Sequence, residues 1–109
     1  MQDLFRMNID KTVQLGIEAL KKNKLQEAEK IFRFLLKQQP SNFEINHLLG
    51  ITFQLLNKIN EAIIYYEKTI KINPDFAEAH KNLGNMFYRM GKINEAELCL
   101  KKSIKLDPK

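Results

Sequence analysis

His47, His80 and Cys99 are the side chains in this sequence best suited to holding a metal or acting as base or nucleophile. The two histidines stand 33 residues apart, and no cysteine or carboxylate joins them in the spacing of a zinc site, so no metal is expected. Cys99 lies between Leu98 and Leu100 with no candidate base in the sequence, which reads as a half-buried small apolar residue. No glycine-rich phosphate loop, nucleophile elbow or paired-carboxylate motif occurs. The residues therefore predict no catalysis and no cofactor. What remains is recognition through non-covalent contact, and that depends on the elements that present the side chains.

At 109 residues and 12.8 kDa the chain makes one domain at most, and 44% apolar with 28% charged residues is ordinary globular composition. The formal charge of +5 could draw nucleic acid. The lysines are spread along the chain, however, and many follow a glutamate by four residues, as in Glu18/Lys22, Glu29/Arg33, Glu67/Lys71 and Glu97/Lys101. That spacing makes solvated helix-surface pairs, so nucleic acid is not an expected partner. Lys37, Lys71 and Lys105 recur at a fixed step, where they complement helix dipoles or form a basic ridge. No apolar run is long enough to span a bilayer, and no basic-then-apolar leader opens the chain. Together with the single cysteine, these features point to the cytoplasm.

The organising stretch is Lys58-Ile59-Asn60-Glu61-Ala62, repeated as Lys92-Ile93-Asn94-Glu95-Ala96 and nearly so as Lys24-Leu25-Gln26-Glu27-Ala28, at a 34-residue step. Gly16, Gly50 and Gly84 keep that step, as do the three prolines, Pro40, Pro74 and Pro108. A period of this size signals stacked units. Each unit carries two amphipathic stripes. In the first they are Leu15, Ala19 and Leu20, then Leu25, Ala28, Phe32, Leu35 and Leu36. In the third they are Ala79, Leu83, Met86, Phe87 and Met90, then Ile93, Ala96, Leu100, Ser103 and Ile104. Asn23, Asn57 and Gly91 stand at the turns, where a left-handed residue is needed. Proline ends each second helix. The mid-helix glycines predict close approach of paired helices, with Ala28, Ala62 and Ala96 as the matching small sites and Phe32, Tyr66 and Leu100 filling in around them. The expected fold is all-α: six antiparallel helices in three helix-turn-helix units over 9–42, 43–76 and 77–109, after an extension at 1–8.

The spacing Leu83-Gly84, Phe87, Gly91, Ala96, Ser103 and Pro108 resembles the tetratricopeptide repeat, and the likeness holds three times over about residues 9–109. The usual aromatic four residues before the glycine is replaced by Thr12, Asn46 and His80. The resemblance implies a right-handed α-solenoid whose first helices line a concave, peptide-binding groove. Carried over by register, the groove positions are Asp10, Val13, Ile17, Leu20 and Lys21 in the first unit, Glu44, His47, Ile51, Gln54 and Leu55 in the second, and Glu78, Lys81, Asn85, Tyr88 and Arg89 in the third, with Asn82 beside them. The contacts expected to bind are Val13, Ile17, His47, Ile51, Gln54, Lys81, Asn82, Asn85, Tyr88 and Arg89. The family's carboxylate clamp needs basic and amide side chains where Val13, Ile17, Leu48, Glu78 and Asn82 stand, so a chaperone-tail ligand is not expected.

The reading is thus a non-catalytic protein-interaction scaffold, expected to belong to a longer protein. The exposed Val13, Ile17, Leu20 and Ile51 await either a partner or cover from Leu4, Phe5 and Met7. Two alternatives stand beside it. One is self-association through the third unit, whose Leu98, Ile104 and Leu106 have no following helix to cover them. The other is a targeting region ahead of a larger enzyme such as a transferase.

Overall fold

A computed structural model describes residues 2–108, with side chains from Asn8 onward, so the cover expected from Leu4, Phe5 and Met7 lies outside the described side chains. Six helices follow in order: α1 (Gln2–Lys21), α2 (Leu25–Gln38), α3 (Phe43–Leu55), α4 (Ile59–Ile72), α5 (Ala77–Arg89) and α6 (Ile93–Leu106). Residues 2–8 belong to α1 and run straight into it without a break.

The recurring five-residue stretch builds the turn inside each hairpin. The Lys24 N–H donates to the Ala19 carbonyl (2.8 Å) and the Asn23 N–H to the Leu20 carbonyl (3.0 Å). The same pair closes from Lys58 to Phe53 (2.8 Å) and Asn57 to Gln54 (3.0 Å), and from Lys92 to Phe87 (2.9 Å) and Gly91 to Tyr88 (3.0 Å). This crossed pairing needs one residue in the left-handed region. Asn23, Asn57 and Gly91 supply it, at φ of 59°, 61° and 80°. Each lysine carbonyl then accepts the first bond of the next helix, from the N–H of Ala28, Ala62 or Ala96, at 3.0 Å in all three. Glu27, Glu61 and Glu95 fall in the first turn, where the helix dipole favours an acid. Lys37, Lys71 and Lys105 fall in the last turns, which suits the dipole at that end.

Between hairpins, the residues that replace the family's aromatic satisfy the chain after each proline. Asn46 Nδ2 donates to the carbonyls of Pro40 (3.2 Å) and Asn42 (2.9 Å). His80 Nε2 lies 2.7 Å from the Pro74 carbonyl, and because a carbonyl only accepts, that nitrogen carries the proton. Both side chains are buried, and these bonds are what make the burial of a polar group tolerable. Thr12 has no preceding proline turn and bonds instead to Asn8 within α1 (2.8 Å).

Each helix packs on its sequence neighbours, and α1 also touches α3. The principal extents of 46 × 26 × 24 Å describe an open stack, the arrangement expected when each unit contacts only the next. Ala28, Phe32, Leu35, Ile45, Leu49, Phe53, Ala62, Tyr66 and Met86 form its buried spine. The glycines face large side chains directly: a Cβ added to Gly16 would stand 2.5 Å from the Phe32 ring, and one on Gly84 2.9 Å from Leu100. Ala28, Ala62 and Ala96 are buried one turn earlier on the second helices; the nearest atoms to each of these glycines belong to a ring or a leucine, with the Ala96 carbonyl oxygen also 3.1 Å from the added Cβ of Gly84.

The ends of the stack depart from the stripe pattern. Leu15 shares the register of Leu49 and Leu83, yet is 61% exposed where those two are buried, because among the described residues no helix stacks on that face of α1. Ile93 and Ile104, expected in the apolar stripe of α6, are exposed together with Leu98, since nothing stacks on that helix among the described residues. Met90, at the open end of α5, is exposed as well.

Candidate binding groove

Val13, Ile17 and His47 come together in a groove of about 550 Å³ between α1 and α3. Helical periodicity explains the grouping: Val13 and Ile17 are one turn apart on α1, and His47 with Leu48 faces them from α3. The floor also takes residues not anticipated from sequence, Gln39 and Asn42 from the α2–α3 turn and Phe76 from the α4–α5 turn. Asn42 is fixed there by its capping role, its Oδ1 accepting from the N–H of Glu44 (3.0 Å) and Ile45 (3.2 Å). Its Nδ2 donates to Gln39 Oε1 (2.8 Å). An N-cap asparagine just ahead of an apolar stripe was a visible signal. That the turn would reach the groove was not.

His47 is the most constrained member. Its ring packs edge-on against Phe76 (centroids 4.9 Å apart) and tilted against Tyr66 (5.4 Å). Nε2 lies 3.4 Å from Asn82 Nδ2 and 3.7 Å from Glu78 Oε2, while the buried Nδ1 has no hydrogen-bond partner. Burial lowers the pKa of this imidazole below its ordinary value, and the nearby Glu78 carboxylate only partly opposes that.

The other anticipated residues lie outside the lining of this groove. Ile51 is half-buried against the core, one turn beyond His47 on α3. Gln54 accepts a hydrogen bond from the Tyr66 hydroxyl, whose pKa burial raises. On α5, Lys81, Asn85 and Tyr88 are exposed, and Asn82 reaches back to His47. Arg89 donates from Nη2 to Asn57 Oδ1 (2.9 Å), which ties the end of α5 to the turn of the preceding hairpin.

Cys99 is half-buried; burial first, then Glu67 and Glu95, push its thiol pKa up, which disfavours the thiolate a nucleophile would need. Among the described residues no group of three or more histidine, cysteine or acidic side chains could hold a metal ion. No described helix is long and apolar enough to cross a membrane.

Residues 77–109 match the family described as tetratricopeptide repeat and residues 55–91 match TPR repeat, so the two matches together span about half of the chain. The chain belongs to the tetratricopeptide repeat family. Such repeats are protein–protein interaction modules and generally non-catalytic. Comparison with curated proteins finds no match. Three solved structures illustrate the shared fold. The first TPR of Spaghetti (RPAP3) bound to HSP90 peptide SRMEEVD superposes with a TM-score of 0.88 at 18% identity, covering 92% of this chain and 79% of that one. The Yersinia enterocolitica type III secretion translocator chaperone SycD gives 0.87 at 19%, covering 90% and 74%. MamA gives 0.86 at 23%, covering 92% of this chain but 58% of its own. At these identities the likeness is one of fold.

Proposed function

We propose that this tetratricopeptide module is a non-catalytic scaffold that grips a peptide or protein segment along its concave side. Val13, Ile17, His47 and Ile51 supply the apolar and aromatic contacts. Gln54, Lys81, Asn82, Asn85, Tyr88 and Arg89 supply the polar ones. The observation that carries this is the groove itself, in which half-buried Val13, Ile17 and Leu48 line open space instead of packing against a further helix. The fold neighbour bound to an HSP90 peptide supports a peptide as the class of ligand. The test is fluorescence anisotropy with labelled apolar peptides of both charge signs. Val13→Asp should weaken any binding at least about tenfold while helical circular dichroism is retained. Unchanged affinity in that variant rejects the groove.

A second reading rests on the bare ends. Leu98 at 71% and Ile104 at 62% exposure leave that face of α6 without cover among the described residues, a face suited to a further copy of the chain. Light scattering over a dilution series separates the two readings. A strict monomer at high concentration removes this one.

A further inference from the structure

Within the groove between α1 and α3, the sign of the charge runs against that of the whole protein. The chain carries 18 lysines and arginines against 13 acids. Yet the charged side chains lining this groove, among the described residues, are both carboxylates, Asp10 from α1 and Glu44 from the first turn of α3. Glu78, outside that lining, stands 3.7 Å from His47, which is within it. The remaining polar lining, Gln14, Gln39 and Asn42, is amide and neutral, and the apolar lining includes Val13, Ile17 and Phe76. Asp10 and Glu44 are both exposed, and neither forms an ion pair among the described residues.

We infer that this groove takes a basic-apolar segment, with an aliphatic or aromatic side chain on Val13, Ile17 and Phe76 and an adjacent lysine or arginine between Asp10 and Glu44. Charge complementarity selects that occupant. An acidic tail would bring its carboxylates against two others, and like charges facing each other repel. A purely apolar segment would leave both acids unused and gain no orientation. The basic residues of α5, Lys81 and Arg89, lie outside the lining of this groove, so they do not reverse its sign. The inference rests on the groove reading above and assigns its ligand class.

The net charge of +5 makes the experiment discriminating, because non-specific attraction would favour an acidic peptide over a basic one. The probes are two fluorescein-labelled peptides of about nine residues, one alternating leucine with lysine and the other leucine with glutamate. Anisotropy should show the lysine peptide binding more tightly. The double variant Asp10→Asn, Glu44→Gln should weaken it about tenfold, and Lys30→Glu, at an exposed position of α2 outside the groove, should not. Both substitutions are at exposed positions and nearly isosteric, and an unchanged melting temperature verifies that the fold is intact. Equal binding of the two peptides, tighter binding of the glutamate peptide, or an unaffected double variant overturns the inference. If Val13→Asp still abolishes that binding, the groove reading stands. If neither peptide binds, both fall.

Discussion

The ring of Tyr66 occupies the space a side chain on Gly50 would need, with an added Cβ standing 2.7 Å from both Cδ1 and Cε1 of the ring. Tyr66 is fully buried and its hydroxyl is tied to Gln54, so the ring has little room to retreat. Gly50→Ala should therefore destabilise the protein by about 1–3 kcal/mol, although alanine is the better helix former by about 1 kcal/mol. Chemical denaturation measures it. A gain in stability would show that propensity outweighs the contact and that the helices separate cheaply.

Leu15 and Leu49 carry the same side chain at the same register and differ in burial, 61% exposed against fully buried. Leu49→Ala should cost about 2–5 kcal/mol, through lost transfer free energy and the cavity left behind. Leu15→Ala should stay within about 0.5 kcal/mol, as surface changes do. Equal costs would mean that something covers α1 in solution.

Asn23 at φ 59° holds a conformation that costs a side chain with a Cβ roughly 1–2 kcal/mol, a cost asparagine tolerates better than alanine. Asn23→Ala should lower stability by about 1 kcal/mol, and Asn23→Gly should leave it level or slightly higher. Thermal melts of the pair check this. If alanine were neutral, the crossed hydrogen bonds at Lys24 and Asn23 would not be what sets the turn.

These hairpin turns were legible because their cause is local. Asn23, Asn57 and Gly91 announce left-handed residues, the lysine after each closes the turn through its backbone, and the step repeats three times. The ends were not legible, since Leu15, Leu49 and Leu83 look alike in sequence and burial is decided by whether another helix stacks above. Asn46 and His80 stood out as departures from the family's aromatic. Each lies six residues after a proline, and that spacing held the clue to their bonds with the Pro40 and Pro74 carbonyls. Of the groove, Val13, Ile17 and His47 follow from helical register. Gln39, Asn42 and Phe76 do not, because which turn reaches the cleft depends on how neighbouring hairpins are inclined.

His47 makes stability depend on pH. Its pKa is held below the ordinary value of 6.5, chiefly by burial, with Glu78 pulling the other way; Phe76 and Tyr66 pack its ring and Asn82 meets Nε2. The folded protein therefore resists a proton that the unfolded chain accepts. Above 6.5 both states hold the neutral ring and the full stability is present. As pH falls below 6.5 the unfolded state binds the proton first, and stability declines until the folded pKa is passed. Between about pH 7 and 5.5, above the range where carboxylates titrate, the melting temperature should drop on acidification. His47→Phe, which keeps an aromatic ring between Phe76 and Tyr66, should flatten that slope whatever it does to stability at neutral pH. The measurement is a series of melts at fixed ionic strength for both proteins. An identical slope in the two would show that His47 does not carry the proton linkage.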